Sequence, residues 1–335
     1  MENLVNSSPL ILVLVFLVIG FAFLMKGADF FVEGSSSIAK RLKVPPIIIG
    51  LTIVAMGTSL PETAVSVTAS LVNNNELAVS NVVGSNIFNL MVVVGVCSIL
   101  TPILVQKETI KRDIPFSMIC AFLLLGLGIL AVGDKSGMTL GHLDGMILLG
   151  FFAGYIVAMI QSAMKARAAG KNVEIEGIEE LEEEIGILSW PKSILFIVGG
   201  ALAIAFGGDL TVDAASRIAI DLGMSQTLVG LTIVSIGTSL PELVTSVVAA
   251  RKNEVDMALG NVIGSNIFNI LLVLGVAAAI SPVKFLTDNI IDTVVLIAMS
   301  LVVLVFAWTS KMIDRREGAT MLGMYAVYMA YICIR

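Results

Sequence analysis

Residues 50–62 read GLTIVAMGTSLPE, and residues 230–242 read GLTIVSIGTSLPE. A second string, GSNIFN, fills 84–89 and returns at 264–269. Both strings repeat at a spacing of 180 residues (237 − 57 and 264 − 84), so the frame is duplicated without a gap. Each copy sets one glutamate, Glu62 or Glu242, inside a long apolar stretch. A carboxylate at the centre of a bilayer costs about 2.5–3.5 kcal/mol on insertion scales. Two carboxylates at equivalent places of a duplicated frame point to one shared site that holds positive charge.

The surroundings of the strings set the fold class. The chain has 335 residues, 57% of them hydrophobic and 14% charged, with mean hydropathy +0.99. A soluble domain carries about 25% charged residues. The apolar excess runs in blocks of 20 or more residues along the whole length. Such blocks predict helices, because a segment in lipid must satisfy its own backbone, and they lack the period-two alternation of an outer-membrane strand. Ten spans are expected, at 9–38, 45–72, 77–101, 114–133, 142–164, 192–219, 226–250, 255–281, 290–310 and 318–334. The opening MENLVNSS has no basic stretch, so the first span is expected to be retained rather than cleaved. Cys97, Cys120 and Cys333 lie in apolar segments and read as small hydrophobes. His142, at a span end, is assigned no role.

The positive-inside rule orients the spans. With the N-terminus outside, cytoplasmic loops hold 15 Lys and Arg and outer segments hold 3, namely Lys135, Lys284 and Arg335. Lys26 and Arg217 fall within spans. Five spans per half is an odd number, so the second copy enters the membrane from the opposite side. The expected fold is therefore an all-α polytopic membrane protein of ten transmembrane helices in two inverted five-helix repeats. Residues 1–164 form the first repeat and 192–335 the second. Residues 165–191, with EIEGIEELEEEIG, form an acidic cytoplasmic linker. The linker reads as a solvated helix, with a regulatory cation site as the alternative; it lacks the Asp and Gly pattern of a calcium loop.

The motifs carry oxygen and nothing softer. On a helix, Thr58 and Ser59 share a face with Glu62, and Ala55 lies seven residues before it. Pro61 withholds a hydrogen bond from the Gly57 carbonyl, which frees backbone oxygen. Thr238, Ser239, Pro241 and Glu242 repeat the arrangement. Ser85 and Asn89 share a face, as do Ser265 and Asn269, while Gly84 and Gly264 permit close helix approach. Asn86 and Asn266 are expected to bond to neighbouring backbone. Carboxylate, hydroxyl, amide and carbonyl oxygens suit Ca²⁺ or Na⁺, whereas Cu(I) and Zn²⁺ prefer sulfur and nitrogen. Two glutamates are neutralised by one Ca²⁺ or by two Na⁺.

GTSLPE followed by GSNIFN, twice in an inverted repeat, resembles the α-1 and α-2 repeats of the cation/calcium antiporters. The similarity is strongest to the prokaryotic sodium/calcium exchangers and covers nearly the whole chain. It implies a midplane site and Na⁺-driven Ca²⁺ movement, commonly three Na⁺ for one Ca²⁺. It implies a calcium site of Glu62, Glu242, Thr58 and Thr238. It implies one sodium site of the Ala55 carbonyl, Ser59, Glu62 and Ser85, and another of the Ser235 carbonyl, Ser239, Glu242 and Ser265. Asn89 and Asn269 would line the centre. Some family members, potassium-dependent ones included, carry aspartate where this chain has Asn269, which argues against K⁺ dependence. The proton-coupled branch has a different motif around its glutamate.

Other classes fit less well. An intramembrane hydrolase needs GxSxG, HExxH or paired catalytic aspartates, and none is present. A channel needs a continuous pore with weak binding. The bland alternative for the glutamates is ion pairing with Lys26 or Arg217, and for the hydroxyls it is back-bonding to helix carbonyls. Asp29 and Asp209 read as structural, Asp29 pairing with Lys26. The expected activity is thus an antiporter of the cell membrane, not an enzyme. It exchanges Na⁺ for Ca²⁺ by alternating access, with proton-coupled or K⁺-dependent cation antiport as the alternative. No cofactor is expected. The expected partners are inorganic cations and the lipid bilayer, with no nucleic acid and a monomer as the unit. Both termini are expected outside.

Overall fold

The computed structural model describes residues 2–71, 78–130, 138–168, 187–224 and 235–334. Helices dominate. After a short turn of helix, α1 (Glu2–Asn6), come α2 (Leu10–Leu42), α3 (Pro46–Thr58), α4 (Leu60–Leu71) and α5 (Ala78–Leu100). Then follow α6 (Thr109–Leu130), α7 (His142–Ala168) and α8 (Trp190–Asp221). The second half continues with α9 (Ser235–Gly237), α10 (Leu240–Arg251), α11 (Val255–Ile280), α12 (Thr287–Ser310) and α13 (Arg315–Ile334). Among the described residues, eight helices are long and apolar enough to cross a membrane: α2, α5, α6, α7, α8, α11, α12 and α13.

The expected spans 45–72 and 226–250 take a different form. The first is divided between α3 and α4, with Ser59 at the break. The second shows the same break at Ser239, between α9 and α10, while residues 225–234 lie outside the described ones. The motif stretch GLTIV at 230–234 and most of the acidic linker also fall outside them.

The all-α expectation needs one correction. Four two-residue strands form: β1 (Ile103–Leu104), β2 (Thr139–Leu140), β3 (Val283–Lys284) and β4 (Met312–Ile313). Antiparallel pairing joins β1 to β4 and β2 to β3. Interhelix loops left their backbone groups free, and pairing loop to loop satisfies them.

Burial ranks the helices. The apolar windows of α5 and α11 are 78% buried, against 17–44% for the other six long helices. These two GSNIFN-bearing helices are the centre, and the rest present apolar faces such as Ile11, Leu195 and Val327 outward. Each central helix contains one π-helical turn, Asn89–Val93 and Asn269–Val273, again 180 residues apart. On the periphery α2 and α8 run antiparallel in close contact. A Cβ at Gly27 would lie 2.9 Å from the Gly200 carbonyl oxygen, and one at Gly207 would lie 2.7 Å from that of Gly20. Small residues let the two backbones meet, as helix association in lipid requires.

Candidate functional site

The breaks in the helices place the glutamates. Ser59 (φ −86°, ψ 7°) and Ser239 (φ −96°, ψ 6°) leave helical geometry at the same point of each motif. Pro61 and Pro241, which cannot donate to the preceding turn, then sit in the first turns of α4 and α10. Glu62 and Glu242 follow directly, in the first turns of those helices. A helix N-terminus favours negative charge, which offsets part of the cost of a carboxylate held away from water. The sequence reading put Thr58 and Glu62 on one face of a continuous helix; they instead lie on two helices that meet at Ser59. Proline does more here than loosen the ladder, because it starts a new helix.

Glu62 and Glu242 are both 0% exposed and interact electrostatically with each other. Ser59 Oγ donates to Glu242 Oε1 at 3.1 Å, so a hydroxyl of the first half serves a carboxylate of the second. The Thr58 and Ser265 hydroxyls also approach Glu242, and they lie 3.3 Å from one another. Among the described residues, both Glu62 oxygens, Glu242 Oε2, Ser85 Oγ, Ser239 Oγ, Asn89 Oδ1 and Asn269 Oδ1 have no hydrogen-bond partner. Each buried polar atom left so costs about 1–3 kcal/mol. These seven oxygens of the two motifs are of the type that a hard cation takes as ligands.

The asparagines bind across the halves. Asn86 Nδ2 donates to the Asn266 carbonyl and Asn266 Nδ2 to the Asn86 carbonyl, both at 3.1 Å. Asn89 Nδ2 donates to Asn266 Oδ1 at 3.2 Å, and Asn269 Nδ2 to Asn86 Oδ1 at 3.1 Å. The expectation that Asn86 and Asn266 serve their own neighbourhoods is corrected, since each serves the other half. The network consumes the NH₂ ends of Asn89 and Asn269 and leaves their carbonyl ends free, which is the end a cation takes.

The remaining expected site residues are placed as follows. Ala55 is fully buried and its carbonyl accepts from the Ser59 backbone at 3.0 Å. Thr238 is half-buried and has a partner of its own. Ser235 opens α9, and its side chain lies outside the described residues. No hydrogen bond joins Glu62 to Ser59 or Ser85. Ion pairing does not account for the glutamates: Lys26 lies 3.8 Å from Asp29, and Arg217 lies 3.0 Å from Asp221. Asp29 meets Lys252 as well, at 3.4 Å. Two buried residues escaped the sequence reading. Asn261 bonds to Thr58 Oγ1 at 3.0 Å, and its Nδ2 donates to Ser246 Oγ at 2.9 Å. Their signal was present: Asn261 precedes Ser265 by one helical turn, and Ser246 follows Glu242 by one.

The chain is similar to known proteins over nearly its whole length. The family model described as sodium/calcium exchanger protein matches residues 12–161 and 192–334, once over each half. The sodium/calcium exchanger MaX1 of Methanosarcina acetivorans is 35% identical over 340 residues, covering 94% of this chain and 97% of that protein. The inner membrane protein YrbG of Escherichia coli is 32% identical over 321 residues, covering 94% and 95% respectively. A solved structure of the sodium–calcium exchanger NCX_Mj, soaked with Na⁺ and Sr²⁺, superposes with a TM-score of 0.80 at 32% identity, covering 96% of this chain and 99% of that one. The duplicated frame, the buried glutamate pair and these likenesses converge: the chain is a multi-pass helical membrane antiporter, not an enzyme, and belongs to the sodium/calcium exchanger family.

Proposed function

We propose that this chain exchanges Na⁺ for Ca²⁺ across the cell membrane, and that Glu62 and Glu242 bind the ions between the two halves. The observation that carries the reading is the pair of fully buried glutamates among orphaned oxygens contributed by both halves. Two carboxylates with neutral hydroxyl and amide oxygens match the charge and hardness of one Ca²⁺. Among the described residues no three His, Cys, Asp or Glu gather, so the site has no alternative set of charged metal ligands. Thr58, Thr238, Ser59, Ser239, Ser85, Ser265, Asn89 and Asn269, with the Ala55 and Ser235 carbonyls, complete the proposed donor set.

Parity supports ten crossings. The strand pair β2–β3 puts residues 139 and 284 at one end of the bundle, so an even number of crossings separates them. Helices α7, α8 and α11 supply three, and the broken 226–250 segment supplies the fourth. Likewise, Ser36 Oγ donates to Glu254 Oε1 at 2.5 Å, which sets the end of α2 beside the start of α11. Asn289 Nδ2 donates to Ser80 Oγ at 2.7 Å, which sets the start of α5 beside the start of α12, at the opposite end. The 45–72 segment therefore crosses as well. Five crossings per half give inverted halves, 1–164 and 192–335, joined by the linker 165–191. The β1–β4 pair then joins two loops that the charge distribution assigns to the cytoplasm, and β2–β3 two that it assigns to the outside.

Inverted halves around one site are the arrangement for alternating access, each half presenting the site to one side in turn. The experiment is ⁴⁵Ca²⁺ uptake into proteoliposomes. Uptake is expected when they are loaded with Na⁺, and no uptake when choline or K⁺ replaces it. Equal uptake driven by a proton gradient alone would replace Na⁺ coupling with proton coupling.

A further inference from the structure

We propose that Asn261 is a positioning residue of the cation site, which accepts the Thr58 proton when a cation occupies Glu242 and so turns the hydroxyl lone pairs toward that cation. The inference rests on the reading of Glu62 and Glu242 as ion ligands and adds a residue to that site.

The geometry fixes the amide. Asn261 is fully buried on α11. Its Nδ2 donates to Ser246 Oγ at 2.9 Å and to the Glu242 backbone carbonyl at 3.5 Å. Both partners lie on α10, so the NH₂ end faces that helix and Oδ1 is the end left for Thr58. A carbonyl oxygen only accepts, so at 3.0 Å the Thr58 hydroxyl donates its single proton to Asn261. The Val54 and Ala55 carbonyls and Ser265 Oγ are farther, at 3.2, 3.3 and 3.3 Å, and the Glu242 carboxylate, the remaining acceptor in reach, is the group that a bound cation would occupy. With the proton committed to Asn261, the Thr58 oxygen offers lone pairs to a cation bound between it, Ser265 and Glu242. A hydroxyl free to rotate would spend part of its time pointing a proton at the cation.

Asn261 also spans the halves. Thr58 belongs to the first motif, while Asn261, Ser246 and Glu242 belong to the second half. One side chain thus sets the distance between a neutral ligand of one half and the backbone beneath a charged ligand of the other. The glutamates supply attraction, and Asn261 supplies orientation.

The test uses the full chain in detergent, with Ca²⁺ binding measured by calorimetry. Asn261→Ala is expected to weaken binding about tenfold, the size of one net hydrogen bond. Thr58→Val should weaken binding similarly, and the double variant should be no weaker than Thr58→Val alone, because Asn261 acts through Thr58. Additive losses, or unchanged binding by a folded Asn261→Ala protein, would overturn the proposal and leave the glutamate site standing. Should Asn261→Ala fail to fold, Ser246→Ala removes the partner that pins the amide without touching the ions. A loss of about threefold is then expected, and unchanged affinity would overturn the proposal. Absence of Ca²⁺ binding by the native chain would remove the cation site itself.

Discussion

Glu62 differs from Glu242 in what holds it. Ser59 bonds to Glu242 Oε1, while neither oxygen of Glu62 has a partner among the described residues. A buried carboxylate without hydrogen bonds or a counter-ion is costly in a membrane protein. An ion between the glutamates relieves both. On the proposed assignment, replacing either by glutamine removes one of two charges that face the cation in a low-dielectric site, where attraction exceeds that in water several-fold. Glu62→Gln and Glu242→Gln are each expected to abolish Na⁺-driven Ca²⁺ uptake. Gel-filtration behaviour should stay native, because a neutral amide is cheaper to bury than a charge. Uptake near the native rate by either variant would contradict a shared site.

At the scale of elements, the site depends on how closely α3 and α11 cross. A Cβ on Gly264 would stand 2.6 Å from the Ala55 Cβ and 2.9 Å from the Leu51 carbonyl oxygen. Ala55 opens the turn that carries Thr58, so widening this crossing moves the ligands. The stretch that the repeat sets opposite the equivalent Gly84, residues 225–234, lies outside the described residues. Gly264→Ala is expected to destabilise by about 1–3 kcal/mol, as overpacking does, and to impair transport; thermal unfolding and ⁴⁵Ca²⁺ uptake check it. The close crossing at Gly264 was legible in the sequence as a small residue on a central helix. Long apolar blocks gave eight helices close to their expected positions, since a buried backbone has few options there. The duplicated strings led directly to Glu62 and Glu242. The breaks at Ser59 and Ser239 were harder to read, because proline signals a loosened helix and a new helix equally. The exchanged asparagine bonds, the strand pairs and the Asn261 contact join residues more than 140 apart, or different helices, and no local pattern announces them.

For the whole molecule, the charge distribution and the coupling make linked predictions. Lys311 and Lys284 are both exposed, next to β4 and in β3 respectively, at opposite ends of the bundle. In a Cys333→Ser background, Lys311→Cys should react with an impermeant thiol reagent only from the cytoplasm, and Lys284→Cys only from outside. The reverse pattern would invert the orientation drawn from 15 cytoplasmic and 3 outer Lys and Arg. Orientation in turn gives meaning to voltage. If three Na⁺ move against one Ca²⁺, each cycle carries one net positive charge, worth about 2.3 kcal/mol per 100 mV. A potential that is negative on the side Na⁺ enters should then speed Ca²⁺ movement the other way, and reversing the potential should slow it. Clamping proteoliposomes with K⁺ and valinomycin at fixed Na⁺ and Ca²⁺ gradients isolates this term. The balance point, where net Ca²⁺ flux vanishes, should shift with the imposed potential by the amount one charge per cycle requires. A balance point that ignores voltage would fix the ratio at two Na⁺ per Ca²⁺. The two glutamates would still be neutralised in each half-cycle, by one Ca²⁺ or two Na⁺, and the exchange would be electrically silent.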